Sequence, residues 1–340
     1  MLERYKTGFI IAAVYIGALM GAGFATGQEL IKYFLRFGAA GFAGIVLCGA
    51  AFALVGFKVL WFVHINGIEG YSEFLRRIMG RRLGLAAEAV SFCFIIALYS
   101  SMTAAAGSLM HQLTGIGSIW GSALLVVICS VMTIAGVRWL GIVNLILCPL
   151  LAGGSVLIGL WLYFGSVSVF APIKMPDDNL LGSAVVYISY NVISCVSLLC
   201  ALSGRIKNIR DAVTGGIIGG LAVGAAGLAL ALPLYKYLDI AVSNELPLYA
   251  LMQGSGALKL IYCTLLCAAV LTTAAGNCCS IVEGLKPKNT AERVLWTILS
   301  GVAALMLSRL GFENIVGRMY YVFGCMGAAE LAFIVCLKLK

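Results

Sequence analysis

The stretch Ile16-Gly17-Ala18-Leu19-Met20-Gly21-Ala22-Gly23-Phe24-Ala25-Thr26-Gly27-Gln28-Glu29 lies in the first apolar segment of the chain and places four glycines within eleven residues. Each glycine inside a helix costs about 1 kcal/mol relative to alanine. In lipid, a peptide group that leaves the helical hydrogen-bond ladder must find another partner or costs several kcal/mol. A glycine-dense interruption is therefore typical of backbone that lines a cavity, where free carbonyls bind a cation or free N–H groups bind an anion.

Close helix packing is the alternative explanation of the same glycines. Gly17, Gly21 and Ala25 follow the i, i+4, i+8 spacing of small residues at membrane helix interfaces. Gln28 and Glu29 favour the interruption, because an ionisable group in or near the hydrocarbon region is a functional candidate by default. We therefore predict a broken first helix, with Gln28 and Glu29 as candidates for gating or proton relay.

The composition of the whole chain indicates an all-α membrane protein. The chain has 340 residues, of which 62% are hydrophobic and 11% charged, and its mean hydropathy is +1.04. A soluble domain carries about 25% charged residues, so this chain cannot cover itself with a water-facing surface. We predict one transmembrane domain over 1–340, with ten spanning helices of about 20 or more residues. These helices are expected at about 8–36, 41–64, 85–111, 118–136, 141–164, 181–203, 212–234, 257–284, 291–308 and 312–337.

The distribution of basic residues predicts the orientation of these helices. Most lysines and arginines lie in loops on one side of the predicted bundle, which is the positive-inside pattern and places both termini in the cytoplasm. The net charge of +9 follows from this pattern. No basic face with interleaved aromatic residues exists, so we expect no nucleic-acid partner. The expected partners are the lipid bilayer and a small-molecule solute, and a homodimer is left open.

Two predicted loops contain secondary structure or apolar segments of their own and are more than simple connections. Residues 66–83 indicate a short amphipathic helix on the cytoplasmic surface. Residues 235–256 contain an apolar segment that starts with proline and is too short to span the membrane. We interpret this second segment as an outer lid, with an ordinary surface loop as the alternative.

Polar residues at mid-membrane positions mark three further segments as candidates for an ion site, a helix break or a pocket. Thr273 and Asn277 share a helix face, and hydroxyls that face a broken helix would complete an oxygen site for Na⁺. The alternative is that the threonines bond their own helix backbone. The run Tyr187–Ser194 crowds polar residues without a glycine, so it signals a break only weakly. The cluster Tyr99–Thr103 either lines a pocket or bonds neighbouring helices.

Two further carboxylates, Glu88 and Glu330, lie within or near predicted spans, so each needs a partner or a proton. Glu88 joins Glu29 as a candidate proton relay. The chain has no pattern of a nucleophile with a base, a phosphate loop or metal ligands. Nearly all of its 12 cysteines lie in apolar runs, where cysteine acts as a small hydrophobic residue. We expect neither an enzyme nor a cofactor.

The stretch YIGALMGAGFATGQEL, Tyr15–Leu30, closely resembles the start of YkvI-type bacterial membrane proteins. These are relatives in the amino acid–polyamine–organocation superfamily, which has the LeuT fold. The segment LTTAAGN, Leu271–Asn277, resembles the eighth helix of sodium-coupled branched-chain amino acid carriers in that superfamily. The resemblance implies a five-plus-five inverted repeat over about 8–164 and 181–337, with the first and sixth helices broken. It also implies the bacterial inner (plasma) membrane.

By this resemblance, the first, third and sixth helices hold the solute, and the first and eighth hold a sodium ion. The implied solute-binding residues are Gly21, Ala22, Gly23, Phe24, Tyr99, Ser189, Tyr190 and Asn191. The implied Na⁺ ligands are the carbonyl groups of Gly17 and Met20 and the hydroxyl groups of Thr272 and Thr273. Proton-coupled relatives can carry a lysine in the fifth helix, and its absence from Gly141–Phe164 favours Na⁺.

The expected function is Na⁺-coupled uptake of a small amino acid or related solute by alternating access. An H⁺-coupled carrier stays open as an alternative. A solute-sensing receptor without sustained transport, like the permease-like subunits of spore germinant receptors, is a second one. A channel is disfavoured, because the sequence has no repeated filter and no ring of pore-lining charges.

Overall fold

The computed structural model describes residues 6–68, 70–135, 150, 153–154, 156–165, 179–206, 208–252 and 256–338. The predicted first helix consists of three pieces, α1 (Lys6–Leu19), α2 (Ala22–Thr26) and α3 (Gln28–Tyr33). The elements that follow are α4 (Ala40–Asn66), α5 (Tyr71–Thr114), α6 (Ser118–Ala135), α7 (Leu180–Ala201), α8 (Ile209–Lys236), the short α9 (Leu238–Val242) and α10 (Pro247–Leu251), α11 (Gly256–Gly284), α12 (Thr290–Ser308) and α13 (Phe312–Val335).

Eight helices in the described part of the chain are long and apolar enough to cross a membrane. They correspond to the predicted helices two to four and six to ten, so the chain is a multi-pass α-helical membrane protein. The first predicted helix is divided into shorter pieces, of which 7–19 is an apolar helix below spanning length. The fifth, predicted at 141–164, lies largely outside the described residues and is helical at 156–164.

Helices α4 and α8 approach each other through glycines. A Cβ atom on Gly220 would lie 2.1 Å from the backbone nitrogen of Ala53, and one on Gly216 would lie 2.2 Å from that of Phe57. Small residues allow such backbone contact, which drives helix association in lipid. Helix α1 joins this pair, because the Tyr15 hydroxyl donates a hydrogen bond of 2.9 Å to the Phe52 carbonyl. Helices α1, α4 and α8 therefore form one packed group.

A second group forms around α5, which packs against α6, α11 and α12. The close approach of α5 and α6 again uses a glycine, since a Cβ on Gly107 would lie 2.5 Å from the Ser122 hydroxyl oxygen. The Ser122 hydroxyl donates to the Thr103 carbonyl at 2.8 Å. Helices α7 and α13 pack against each other, and a Cβ on Gly324 would lie 2.6 Å from the Val186 carbonyl oxygen.

Helix α5 bends sharply at Gly80, whose φ of 76° and ψ of 172° are outside the helical region. The left-handed φ favours glycine. The bend separates residues 71–79, which we call the inner segment, from the spanning part of α5. The inner segment buries Phe74 and Leu75 and exposes Arg76 and Arg77. An amphipathic helix within 66–83 is thus present as predicted, and its position on the cytoplasmic surface stays a prediction.

Candidate functional site

The first helix is interrupted, as predicted, and the break lies at Met20 and Gly21, whereas Ala22 and Gly23, expected within the unwound centre, are already helical. Helix α1 ends at Leu19, Gly21 is extended with φ −74° and ψ −177°, and α2 begins at Ala22. Within the described part of the chain, no backbone N–H donates to the carbonyls of Gly17, Leu19 or Met20. The break therefore leaves buried or half-buried carbonyl oxygens available to a ligand.

A second turn follows at Gly27 and divides α2 from α3. Its φ of 87° is in the left-handed region, and a Cβ there would lie 2.7 Å from the Leu234 side chain. Glycine meets both the conformational and the steric demand. The Thr26 hydroxyl closes the short helix by donating to the Gly23 carbonyl at 3.2 Å.

The turn at Gly27 folds Glu29 back onto the first break. The Glu29 side chain is 4% exposed, and its Oε1 would lie 2.3 Å from a Cβ built on Gly23. Oε2 has no hydrogen-bond partner among the described residues. The hydroxyl groups of Tyr187 and Tyr190 lie close to this carboxyl group, although the Tyr190 hydroxyl makes no hydrogen bond within 3.5 Å to any residue that the structure describes. A carboxyl group thus occupies the space beside the predicted solute-binding glycine.

A cluster of aromatic side chains lies around Tyr190, beside the Glu29 carboxyl group. The Tyr190 ring centroid lies 5.1 Å from that of Tyr320, 5.5 Å from that of Tyr33 and 5.9 Å from that of Phe94. All four side chains are buried. Sequence reasoning had included only Tyr190 in the site. Of the other three, only Tyr33 carried a signal, because Glu29 and Tyr33 are four residues apart and share one helix face.

The predicted break in the sixth helix is wrong, because α7 runs without interruption from Leu180 to Ala201. Its polar side chains bond the backbone of their own helix. Ser189 Oγ donates to the Val185 carbonyl at 2.7 Å, and Asn191 Nδ2 donates to the Tyr187 carbonyl at 2.9 Å. The segment has no glycine to weaken the ladder, so local side-chain bonds coexist with an intact helix.

Tyr99 is fully buried, and its hydroxyl has no hydrogen-bond partner among the described residues. The thiols of Cys129 on α6 and Cys278 on α11 lie close to it. The structure therefore directs the Tyr99 hydroxyl toward the group of helices around α5. Its predicted contact with solute stays a prediction.

The predicted Na⁺ ligands on α11 have different environments. The Thr272 hydroxyl is buried and donates to the Ala268 carbonyl at 2.9 Å, while Thr273 is half-buried. Helix α11 packs against α2, and the Tyr262 hydroxyl donates to the Ala25 carbonyl at 3.0 Å. The eighth predicted helix thus lies directly beside the broken one, and the ligand set itself stays a prediction.

The predicted lid contacts the first helix through Gln28. Its amide nitrogen donates to the carbonyls of Asn244 at 2.9 Å and Glu245 at 3.0 Å, between α9 and α10. The Tyr249 hydroxyl of α10 donates to the Gln112 carbonyl of α5 at 3.1 Å. The segment therefore bridges the broken helix and α5. Glu88, the other gating candidate, instead accepts a hydrogen bond from Ser72 of the inner segment.

Two cavities differ greatly in size. One of about 550 Å³ lies between the lid, the adjoining ends of α5 and α6, and the start of α13, and its lining includes Ser108, Glu245 and Arg309. The other lies near the break beside Phe24 and Tyr187 and measures about 10 Å³. A cavity of that size holds at most one water molecule. This second gap is too small for a solute, and the Glu29 side chain fills the space beside Gly23, so the structure is closed to solute at the break.

The chain is similar over nearly its whole length to two proteins of Bacillus subtilis (strain 168). It is 25% identical over 338 residues to the uncharacterized membrane protein YkvI, covering 96% of this chain and 95% of that protein. It is 22% identical over 336 residues to the uncharacterized protein YyaD, covering 98% of this chain and 97% of that protein. The expected resemblance to YkvI-type proteins is confirmed. No protein-family model matches the chain.

Solved structures show the fold. A Na⁺-coupled sialic acid symporter in a substrate-bound outward-open state matches with a TM-score of 0.67 and 15% identity, over 97% of this chain and 79% of that chain. MhsT in complex with L-phenylalanine matches with a TM-score of 0.70 and 16% identity, over 98% of this chain and 89% of that chain. The chain therefore has the LeuT fold, as predicted.

Proposed function

We propose that this protein is a secondary transporter that couples uptake of a small amino acid or related solute to Na⁺ by alternating access. The observation that carries the proposal is the buried break at Met20 and Gly21, in a chain with the LeuT fold. Irregular backbone at membrane depth is tolerated where it lines a binding site. Of the structural neighbours, one is named as a Na⁺-coupled symporter and one is in complex with an amino acid.

Sodium would bind between the broken helix and α11. The carbonyls of Gly17 and Met20 are free of backbone hydrogen bonds in the described chain, and α11, which carries Thr272 and Thr273, packs against α2 just after the break. Carbonyl and hydroxyl oxygens are the hard ligands that a small hard cation prefers. The absence of any acidic ligand in this set means that bound Na⁺ would add a net positive charge next to the solute site.

The solute would occupy the space between the break and the aromatic side chains of α7. Gly21, Ala22, Gly23 and Phe24 would line one side, with Ser189, Tyr190 and Asn191 on the other and Tyr99 from α5. In the closed state, Glu29 fills part of this space. Entry of solute therefore requires the Glu29 carboxyl group to move away from Gly23, which would give Glu29 a gating role.

Transport would follow from relative movement of the two packed groups. The group α1, α4 and α8, together with α7, would move against the group α5, α6, α11 and α12. A sodium ion bound across the two groups favours one arrangement, and any solute that binds this arrangement better gains affinity. The Gln28 contacts to the lid would break when the outer side opens.

Purified protein in proteoliposomes provides the test. A thermal-shift screen of amino acids, amines and nucleobases with and without Na⁺ identifies the solute, since a ligand raises the unfolding midpoint by mass action. Counterflow of that solute then tests transport. Saturable exchange that rises with Na⁺ supports the proposal. Binding without exchange identifies a sensor, and exchange driven by a pH gradient at constant Na⁺ identifies an H⁺-coupled carrier.

The proposed location is the bacterial plasma membrane, with both termini in the cytoplasm. The inner segment carries Arg76 and Arg77 on its exposed side, which agrees with a cytoplasmic position under the positive-inside rule. Labelling of single cysteines with a membrane-impermeant reagent in whole cells tests this orientation. A residue of the lid should react from outside, and a residue of the inner segment should react only after the cells are opened. A homodimer stays a further proposal, tested by the mass of the purified protein in detergent.

A further inference from the structure

A buried chain of oxygen atoms connects α13 to both arms of the bent helix α5. Glu330 of α13 is 2% exposed, and its Oε2 lies 2.9 Å from the Tyr71 hydroxyl oxygen. That oxygen lies 2.7 Å from Ser91 Oγ, which lies 2.8 Å from the Ala87 carbonyl oxygen. Three consecutive contacts of hydrogen-bond length thus run from Glu330 to Ala87. None of these groups belongs to the site around the glycine break.

Three hydrogen bonds in a row need three protons. The Ala87 carbonyl can only accept, so Ser91 donates to it, and the Ser91 oxygen must then accept from Tyr71. This uses the single Tyr71 proton and leaves none for its contact with Glu330. An ionised Glu330 would accept the Tyr71 proton instead and would leave one of the other two contacts without a hydrogen. All three contacts are hydrogen bonds only when the Glu330 carboxyl group supplies a proton.

The surroundings of Glu330 favour the same protonation state. Oε1 has no hydrogen-bond partner, and no lysine, arginine or histidine nitrogen lies within 4.0 Å of the carboxyl group in the described part of the chain. An unpaired buried charge is very costly, and a neutral acid avoids that cost.

The titratable groups of α5 and α7 that face Glu330 carry no positive charge. Helix α5 contributes Tyr71, and α7 contributes the thiols of Cys195 and Cys200. Helix α4 contributes Lys58, whose ammonium group donates instead to the carbonyls of Val335 and Leu337 at the end of α13, the second at 3.1 Å. None of these neighbours pairs with a Glu330 carboxylate, so a bound proton is what neutralises it.

We propose that Glu330 is a proton-binding site, and that its proton holds the inner segment against α13. Loss of the proton leaves a buried carboxylate with too few donors. The inner segment then separates from α13 so that water reaches the carboxylate. Proton release and opening of this side of the protein are thus one event. The proposal does not depend on the identity of the solute or on Na⁺ coupling.

Infrared spectroscopy of the purified protein in heavy water tests the protonation state directly. The wild type should show the carbonyl stretching band of a protonated carboxylic acid, and Glu330→Gln should lack it. Glu73→Gln is the matched control, because Glu73 lies on the same segment, is exposed and pairs with Arg77. Absence of a band that Glu330→Gln removes would overturn the proposal. So would a band that appears only when Na⁺ is withdrawn, since the site would then hold a metal cation.

Hydrogen–deuterium exchange of the inner segment, corrected for the intrinsic effect of pH, tests the link to its docking. Protection in the wild type should fall roughly three- to tenfold as the pH rises, which corresponds to the loss of one hydrogen bond. Glu330→Gln, whose amide can donate to Tyr71, should stay protected at every pH. Tyr71→Phe keeps the ring and removes the oxygen, so its inner segment should be unprotected at every pH. This variant replaces Glu330→Gln in the comparison with the wild type if Glu330→Gln does not fold. Protection of the wild type that is independent of pH would contradict the proposal.

Discussion

The carboxyl group of Glu29 lies against the α-carbon of Gly23, so that a Cβ on Gly23 would be 2.3 Å from Oε1 and 2.8 Å from Cδ. The two positions are six apart in the sequence, and the left-handed turn at Gly27 brings them together. The break in the first helix and the buried carboxylate are therefore one structural unit. A change at either residue is expected to affect the other.

Gly23→Ala should destabilise the closed state, because the new methyl group overlaps the Glu29 carboxyl group. Overpacking of this kind costs typically about 1–3 kcal/mol, which thermal unfolding of the purified protein would measure as a lower midpoint. Gly21→Ala is the matched control for stability, since nothing lies within 4 Å of a Cβ there and the backbone is extended. Equal midpoints for the two variants would contradict the close contact of Gly23 with Glu29.

Thr273→Ala should abolish the Na⁺ dependence of uptake, because it removes a hydroxyl ligand from the proposed site. Coupling between two ligands typically changes affinity about 5- to 150-fold, so affinity at high Na⁺ should fall to its Na⁺-free value. Thr264→Ala is the control on the same helix, because its hydroxyl is exposed and donates to the Leu260 carbonyl at 2.9 Å. Uptake by Thr273→Ala that still responds to Na⁺ as the wild type does would refute the site.

Gln28→Ala should loosen the lid, because it removes the donor to the carbonyls of Asn244 and Glu245. We expect faster hydrogen–deuterium exchange over α9 and α10 by roughly threefold to tenfold, the effect of losing an ordinary hydrogen bond. Ser243→Ala is a control within the lid, since its exposed hydroxyl bonds only the nearby Asp239 carbonyl. Unchanged exchange in Gln28→Ala would mean that these contacts do not hold the lid.

Gly220→Ala should destabilise the group α1, α4 and α8. The new Cβ would lie 2.1 Å from the Ala53 nitrogen and 2.5 Å from its α-carbon, and a backbone cannot yield as a side chain can. We expect a loss of at least about 1–3 kcal/mol, read as a lower thermal midpoint. Gly276→Ala meets nothing within 4 Å and should leave stability unchanged or raise it by up to about 1 kcal/mol.

The sequence predicted those features that follow from local chemistry. Long apolar runs predicted the spanning helices, and the glycine density at Gly17–Gly27 predicted the break, because both depend on properties of contiguous residues. The amphipathic pattern around Arg76 and Arg77 likewise predicted the inner segment. These features can be recognised without knowing which other segments pack against the residues concerned.

The features that the sequence did not predict depend on contacts between distant segments. Polar residues at Ser189 and Asn191 were compatible with a break, but their side chains bond the backbone one turn earlier and the helix stays whole. The tyrosines around Glu29 come from three separate helices. The position of Tyr99 beside Cys129 and Cys278 depends on the rotation of α5, which periodicity alone does not define.

The Glu29 carboxyl group, which fills the space beside Gly23, has a kinetic consequence. A solute that binds beside Gly23 cannot enter this conformation, so opening must come before capture. In a stopped-flow experiment, the observed association rate should then approach a plateau as solute concentration rises, and the plateau value is the opening rate. Variants that shift the Glu29 side chain would change that plateau.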